Sequence, residues 1–191
     1  MKTKAFWAGL SLLFLSACGP IIGGMMVAGN GIKDFEVVQG DFSALPLASQ
    51  IVVLGPFDKT DQAFYICRGE EAAAFANAFN QFGPFSAELD VDSQFPEKLP
   101  GAAHFKGCTP AEAQQTLGLK KAPDIIMSGT ILSREMTAAP ARGVIMTARY
   151  RLEFLNLTDG LITVIEVAAQ DMFQDVVPNT VKYLAKQLDT K

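Results

Sequence analysis

The stretch Val144-Ile145-Met146-Thr147-Ala148-Arg149-Tyr150-Arg151-Leu152-Glu153-Phe154 alternates apolar and polar residues and decides the fold. Successive side chains of a β-strand point to opposite faces of a sheet, so the alternation predicts a long strand with one buried face. Thr158-Asp159-Gly160 follows as a turn signal, and residues 161–167 predict a return strand. The chain is therefore expected to contain a long hairpin.

Upstream of the hairpin, strand and helix patterns alternate. The run Ile51-Val52-Val53-Leu54 predicts a strand that is buried on both faces. Helical spacing extends from Gly69 to Phe82, and Thr109-Pro110-Ala111-Glu112 predicts a helix start with a capping box. Further strands are predicted at 34–38, 85–91 and 125–132, and a last helix is predicted to be capped by Asn179. The order β-β-α-β-α-β-β-β-α predicts an α/β (α+β) domain in which helices pack on a single mixed sheet.

The composition limits the class of protein. The chain has 191 residues, of which 49% are hydrophobic and 19% are charged, with a formal net charge of −4. This length fits one domain, and this hydrophobic content excludes the intrinsically disordered class. Binding to a phosphate backbone needs clustered Lys and Arg, which an acidic chain does not favour. We therefore expect one packed domain and no nucleic-acid partner.

The amino terminus is typical of a secretory signal peptide. Two lysines precede the apolar run 5–15, which is shorter than the ~20 residues of a membrane-spanning helix. Leu15-Ser16-Ala17-Cys18 then resembles the bacterial lipobox, in which small residues separate a leucine from the cysteine. The resemblance implies cleavage before Cys18 and attachment of acyl chains, such as palmitate, to that residue. An ordinary cleaved signal peptide is the alternative.

A lipidated Cys18 implies a permanent membrane anchor, because two or three acyl chains bind a bilayer stably whereas one does not. Gly19 stands where lipoproteins retained in the inner membrane of enteric bacteria have Asp, so we expect the periplasmic face of the outer membrane. The predicted organisation is a signal peptide at 1–17, a lipidated cysteine with a glycine-rich tether at 18–32, and one periplasmic domain at 33–191. The apolar tether is interpreted either as a flexible linker near the bilayer or as a segment that docks into a partner or a neighbouring subunit.

Cys67 and Cys108 remain as a pair once Cys18 carries lipid. An oxidising periplasm permits a disulfide between them, which would close a loop of about 40 residues and stabilise the fold by roughly 4 kcal/mol in the chain-entropy model. The alternative is two buried thiols that pack as small hydrophobic groups. A metal site is not expected, because His104 is the sole imidazole and no CxxC or HxxxH spacing occurs.

The sequence contains no pattern that predicts catalysis. A nucleophilic Ser or Cys needs a neighbouring base, and His104 lies in a segment rich in Pro and Gly, where a solvated side chain is expected. The carboxylate pairs Glu70/Glu71 and Asp90/Asp92 are explained by a helix start and a strand face. No glycine-rich phosphate loop is present. We therefore expect a protein that is not an enzyme and needs no cofactor.

Positive charge is concentrated in the carboxyl-terminal half, on Arg134, Arg142, Arg149 and Arg151. One interpretation is an interaction surface for a protein partner or an anionic cell-wall polymer. The other is a solvated sheet face on which the arginines pair with Glu135, Glu153 and Glu166. Charge reversal at Arg149 and Arg151 distinguishes the two, because it weakens the recovery of a partner in the first case alone.

Two short motifs, together with the hairpin, resemble a group of bacterial envelope lipoproteins. The motifs are Ile51-Val52-Val53-Leu54-Gly55-Pro56-Phe57 and Ala122-Pro123-Asp124-Ile125-Ile126-Met127-Ser128-Gly129-Thr130-Ile131. The group includes the curli-secretion channel lipoprotein, the lipoprotein activators of penicillin-binding proteins and the amino-terminal domain of TolB. The resemblance covers roughly residues 33–189. It implies an anticodon-binding-like sandwich without catalytic apparatus that docks envelope machinery or forms rings.

These observations predict a membrane-anchored periplasmic lipoprotein that acts as a non-enzymatic accessory or assembly factor of an envelope, secretion or cell-wall machine. Its expected partners are the membrane, through the anchor, and an envelope protein or further copies of itself. The 14 phenylalanines suggest an alternative, a binding module for a lipid or another hydrophobic small ligand. A hydrophobic cavity of several hundred Å³ would favour the ligand, and a filled core with a bare apolar patch would favour a protein partner.

Overall fold

The computed structural model describes residues 29–63, 70–91 and 101–189. In these ranges the chain forms seven strands and three α-helices. The strands are β1 (Gly31–Gln39), β2 (Gln50–Gly55), β3 (Asp58–Lys59), β4 (Ser86–Val91), β5 (Ile125–Ala139), β6 (Gly143–Asn156) and β7 (Ile162–Met172). The helices are α1 (Glu70–Phe82), α2 (Pro110–Leu117) and α3 (Val176–Asp189). The predicted α+β class is confirmed, and the predicted order is confirmed apart from the short strand β3.

The strands form one mixed sheet in the order β1-β7-β6-β5-β2-β4, and β3 pairs with β5 beyond the end of β2. β1, β7, β6 and β5 pair with one another in antiparallel fashion, whereas β2 is parallel to both β4 and β5, and β3 is parallel to β5. Ile51, Val52, Val53 and Leu54 of β2 are all buried, as the apolar run predicts. They need to be apolar because packed elements cover both faces of the sheet at this strand.

The two faces of the sheet are covered to different extents. α1 and α3 pack on one face, the covered face, where Phe75 and Phe79 of α1 and Val181 and Leu184 of α3 join the main core. On the opposite face, a smaller core lies beneath α2 and a 3-10 turn at Ala102–Phe105. This smaller core includes Val52, Leu54, Ile126 and Leu155, which lie at one end of the sheet. We call the remainder of that second face, over β6, β7 and β1, the open face.

The two motifs that carry the family resemblance pack against each other. Phe57 follows β2, and its ring lies over the backbone of Gly129 in β5. A Cβ atom at position 129 would be 2.5 Å from Cε2 of Phe57, which is too close for any side chain without displacement of the ring. The glycine therefore provides the space that the aromatic ring occupies in the core.

Local signals account for the start of α2. The Thr109 side chain accepts a hydrogen bond from the backbone N–H of Glu112, and the Glu112 carboxylate accepts one from the backbone N–H of Thr109. This is the predicted capping box, with Pro110 in the first turn. The helix ends at Leu117 and is capped by Gly118, which adopts a left-handed conformation with φ of 63°.

The structure corrects three predicted boundaries. β5 extends to Ala139 rather than ending near 132, because each of its later residues pairs with β6. β7 likewise extends to Met172 rather than 167. The last helix begins at Val176, so Asn179 is not its cap; the Asn179 side chain donates instead to Asp171 at 2.7 Å.

Candidate functional site

The β5–β6 hairpin carries exposed apolar side chains near its tip. Met136 is 50% exposed, Val144 is 40% exposed and Phe173, just after β7, is 48% exposed. They line an open groove of about 520 Å³, which we call the tip groove. Its lining residues are Met136, Arg142, Gly143, Val144, Met172, Phe173 and Gln174. Exposed apolar groups in one continuous patch are typical of a surface that another segment covers.

The amino-terminal end of the described fold lies beside this groove. Gly31, the first residue of β1, is opposite Gln170 of β7, and β7 continues for two more residues, to Met172. The Asn30 side chain donates a hydrogen bond to Asp171 at 2.9 Å. The chain that precedes β1 therefore joins the domain at the end where the tip groove lies.

A charged cluster is buried on the covered face, next to the groove. Nη1 of Arg134 in β5 lies 3.1 Å from Oε1 of Glu71 in α1, and the two side chains are 9% and 6% exposed. The hydroxyl of Tyr150 in β6 donates to Oε2 of Glu71 at 3.2 Å, and Tyr150 is fully buried. The Arg134 guanidinium also lies over the Phe173 ring, 5.5 Å from its centroid. One carboxylate thus joins α1 to two strands.

Burial controls the ionisation of this cluster. It raises the pKa of Glu71 above the ordinary value of 4.5, and the charge of Arg134 and the Tyr150 hydroxyl each offset part of that rise. Burial also raises the pKa of Tyr150 well above its usual range, with a further rise from the nearby Glu71 charge. Tyr150 is therefore a hydrogen-bond donor at physiological pH rather than a base.

A recess connects the cluster with the tip groove. It has a volume of about 260 Å³ and lies between α1, the start of α3 and β5. Its lining includes Glu71 and Arg134 at the inner end, and it shares Phe173 and Gln174 with the tip groove. The recess and the tip groove therefore adjoin at these two residues. The tip groove is a surface groove rather than an enclosed cavity, because Met136, Val144 and Phe173 are about half exposed.

The four arginines of the predicted interaction surface do not lie together. Arg149 and Arg151 lie on the open face of β6, whereas Arg134 is buried on the covered face and Arg142 lies in the hairpin turn at the tip groove. On the open face, Nη2 of Arg149 is 3.1 Å from Glu166 and 3.4 Å from Asp34, and Nη1 of Arg151 is 3.8 Å from Glu166. The pairing with Glu166 agrees with the interpretation of a solvated sheet face. Asp34 is a further partner that the sequence did not suggest.

Both outer strands of the sheet expose apolar side chains. Val37 and Val38 of β1 are 40% and 43% exposed, and Leu89 and Val91 of β4 are 37% and 42% exposed. β1 and β4 are the first and last strands in the sheet order, so these two patches lie at opposite edges of the domain. The edges differ in sequence and in strand direction, which makes them two distinct surfaces.

The remaining predicted positions lie partly outside the described residues. Cys18, Cys67 and the predicted tether up to residue 28 lie outside the described residues, so lipidation and the disulfide remain predictions. Cys108 is half-buried beside the smaller core. His104 is exposed and packs edge-on against Phe105. Within the three described ranges there is no group of three or more His, Cys, Asp and Glu that could hold a metal ion, and no helix is long and apolar enough to cross a membrane.

Comparison with known proteins identifies the fold and nothing more specific. No family model and no curated protein matches the sequence. The PelC dodecamer from Paraburkholderia phytofirmans aligns over 82% of this chain and 98% of its own, with a TM-score of 0.50 at 10% identity. The likeness is one of fold. A variant of that dodecamer in another crystal form aligns over 81% of this chain and 94% of its own, with a TM-score of 0.45 at 11% identity. The hypothetical protein CT253 from Chlamydia trachomatis aligns over 74% and 94%, with a TM-score of 0.38 at 12% identity.

Proposed function

We propose that this protein is a lipid-anchored accessory factor of the bacterial envelope that acts without catalysis and works as an assembly of several copies. The observation that carries the proposal is the pair of exposed apolar patches on the two outer strands, Val37/Val38 on β1 and Leu89/Val91 on β4. Two different surfaces on opposite edges suit head-to-tail contacts, and such contacts form closed rings when the rotation between copies closes. The PelC fold neighbour, a dodecamer, supports this arrangement.

The proposed anchor is Cys18, because Leu15-Ser16-Ala17-Cys18 resembles a lipobox. Two or three acyl chains would hold the domain at the periplasmic face of the outer membrane. Growth with labelled palmitate tests this. The wild-type chain should be labelled and should fractionate with outer membranes, whereas Cys18→Ser should lose both properties. Wild-type protein that stays unlabelled and is released by osmotic shock would refute the anchor and leave the assembly proposal standing.

Self-association through two different edges has a specific signature in a mixing experiment. Val37→Glu damages one patch and Leu89→Glu damages the other, so each variant alone should be monomeric in detergent. An equimolar mixture retains one intact patch of each kind per pair and should form dimers that grow no further. Wild-type protein should form a larger assembly, as measured by light scattering after gel filtration.

A matched control is available at Val144, which is 40% exposed, like Val37, and lies on β6, an inner strand of the sheet rather than either outer strand. Val144→Glu adds the same charge to an equally exposed valine and should leave the assembly intact. A wild-type protein that stays monomeric in detergent at every concentration, or edge variants that assemble like the wild type, would refute the proposed mode of association.

The alternative function, binding of a hydrophobic small ligand, has one observation in its favour. The tip groove, at about 520 Å³, falls within the ~300–1,000 Å³ range of small-molecule sites. Native mass spectrometry of the protein purified from membranes distinguishes this alternative. A non-covalent adduct of constant mass that Val144→Asp removes would support the ligand, and a spectrum without such an adduct would favour the accessory role.

A further inference from the structure

The tip groove lacks a cover among the described residues, and the apolar segment at residues 21–27 lies just upstream of them. This segment carries five large apolar side chains and no charge: Ile21, Ile22, Met25, Met26 and Val27. We propose that residues 21–27 bind in the tip groove of the same molecule. The inference holds whether or not Cys18 is lipidated, and it adds an orientation to the proposed anchor if it is.

The first argument is reach. Gly31 is opposite Gln170 of β7, and the lining residue Val144 lies on the next strand, β6. Crossing from β1 to β6 takes ~10 Å at the usual strand spacing, and two residues along β7 to Met172 take ~7 Å in the perpendicular direction. The diagonal of these two steps is about 12 Å. Val27 lies four residue-to-residue steps before Gly31, and four steps of chain span at most ~13 Å. The linker is therefore long enough for Val27 to reach the groove, and the preceding residues can continue across it.

The second argument is proximity. Ala28, Gly29 and Asn30 are the three residues between the segment and β1, and Asn30 is held by its hydrogen bond to Asp171. A short linker gives its binding segment an effective concentration in the millimolar range. The groove of the same molecule is therefore favoured over the groove of another copy at ordinary protein concentrations.

The third argument is chemical complementarity. Arg142 is the one charged side chain among the seven residues that line the groove, and it lies at the hairpin turn, where it can remain in water. The floor is formed by Met136, Val144, Met172 and Phe173. An uncharged segment rich in Met and Ile fits such a floor because unbranched Met side chains adapt to irregular apolar gaps. Burial of both surfaces removes the apolar patch from water.

Binding of residues 21–27 in the tip groove would fix the orientation of the domain relative to the membrane. If the lipid on Cys18 is embedded in the bilayer, a segment bound from residue 21 onward leaves only residues 19 and 20 between the lipid and the groove. The tip of the β5–β6 hairpin then lies against the membrane, and the two outer strands stand upright beside it. The edges that the proposed function uses are thus held parallel among neighbouring copies.

Site-specific photocrosslinking in the full-length protein tests the inference. Phe173 is replaced by p-benzoylphenylalanine, an aromatic side chain of similar shape, and the protein is irradiated in cells. We expect a crosslink to a peptide from residues 19–29, in a product that migrates as a monomer under denaturing conditions. The same photoreactive residue at Leu161, which is 66% exposed at the other end of β7, should give no such crosslink.

A variant outside the folded domain separates the inference from misfolding. Met25→Asp with Met26→Asp places two charges in the segment and should abolish the crosslink while the domain still unfolds in one cooperative thermal transition. Gly23→Ser with Gly24→Ser alters the same segment without charge and should retain it. A product of dimer size, a crosslink to phospholipid, or no crosslink from position 173 would overturn the inference. Palmitate labelling of the same samples reports on the anchor independently.

Discussion

Two arginine–glutamate pairs in this protein have the same separation and different surroundings. Arg134 and Glu71 lie 3.1 Å apart on the covered face, with side chains that are 9% and 6% exposed. Arg149 and Glu166 also lie 3.1 Å apart, on the open face, with side chains that are 39% and 18% exposed. Distance alone would rank the two pairs as equal. Burial makes them unequal, because charges removed from water depend on each other far more strongly than charges that water still solvates.

The difference lies in what each partner loses when the other is removed. On the open face, water and Asp34 remain available to Arg149, so the loss of Glu166 is small. On the covered face, loss of one partner leaves a charge inside the protein without its counter-charge. The buried pair therefore constrains how α1 packs on β5, whereas the Arg149–Glu166 pair lies on a solvated surface. The following predictions test this contrast, from the largest expected effect to the smallest.

Arg134→Met should reduce the free energy of unfolding by about 3–5 kcal/mol, because Glu71 would be left buried without a counter-charge. Urea denaturation measures the change. The double variant Arg134→Met with Glu71→Leu removes both charges and should recover much of the lost stability. A single variant that costs no more than ~1 kcal/mol would show that the buried pair behaves like a surface pair.

Tyr150→Phe should cost roughly 1.5–3 kcal/mol, since it removes a buried hydrogen bond to a charged group and leaves one oxygen of Glu71 without that donor. The substitution keeps the ring that packs edge-on against Phe75. In the Glu71→Leu background the same change should cost clearly less. Equal costs in both backgrounds would mean that the hydroxyl does not stabilise the carboxylate.

The buried pair should also respond to pH. Burial raises the pKa of Glu71 above 4.5 in the folded protein, so the unfolded chain releases this proton first as the pH rises. The free energy that this site contributes is therefore fully present below the unfolded pKa and declines as the pH rises toward the folded value. The stability of wild type relative to Glu71→Gln should fall as the pH is raised from 4.5 toward neutrality. A difference that stays constant with pH would contradict the raised pKa.

Arg149→Met should change the free energy of unfolding by about 1 kcal/mol or less, and the change should shrink further in high salt. Thermal unfolding at low and high salt checks both statements. Addition of Arg151→Met should not raise the cost to that of Arg134→Met. A large, salt-insensitive cost would mean that the open face is covered by another part of the protein.

The elements of the fold could largely be predicted because their signals are local. Alternation identifies β6, the apolar run 51–54 identifies β2, and the capping box identifies α2. The lengths of β5 and β7 could not be predicted in this way. Apart from Met136 and Met172, their last residues are polar or small, and the strands extend because a neighbouring strand supplies hydrogen-bond partners. Such pairing depends on residues far away in sequence, which no short window contains.

The position of Arg134 illustrates the same limit at the level of one side chain. Strict alternation from Ile131, which faces the main core, would put Arg134 on the open face together with Arg149 and Arg151. A β-bulge between Ile131 and Ser133 shifts the phase, so Arg134 faces α1 instead. Its partner could have been suspected: Glu71 lies four residues before the buried Phe75, on the same face of the helix.

The contact between Phe57 and Gly129 has a consequence for the detection of distant relatives. The two residues belong to separate short motifs, each too brief and too apolar to be distinctive, yet the ring of one occupies the space that a side chain of the other would need. In a related chain, any residue larger than glycine at the second position should coincide with a smaller residue at the first. This coupled pair, about seventy residues apart, offers a criterion for homology where overall similarity has decayed.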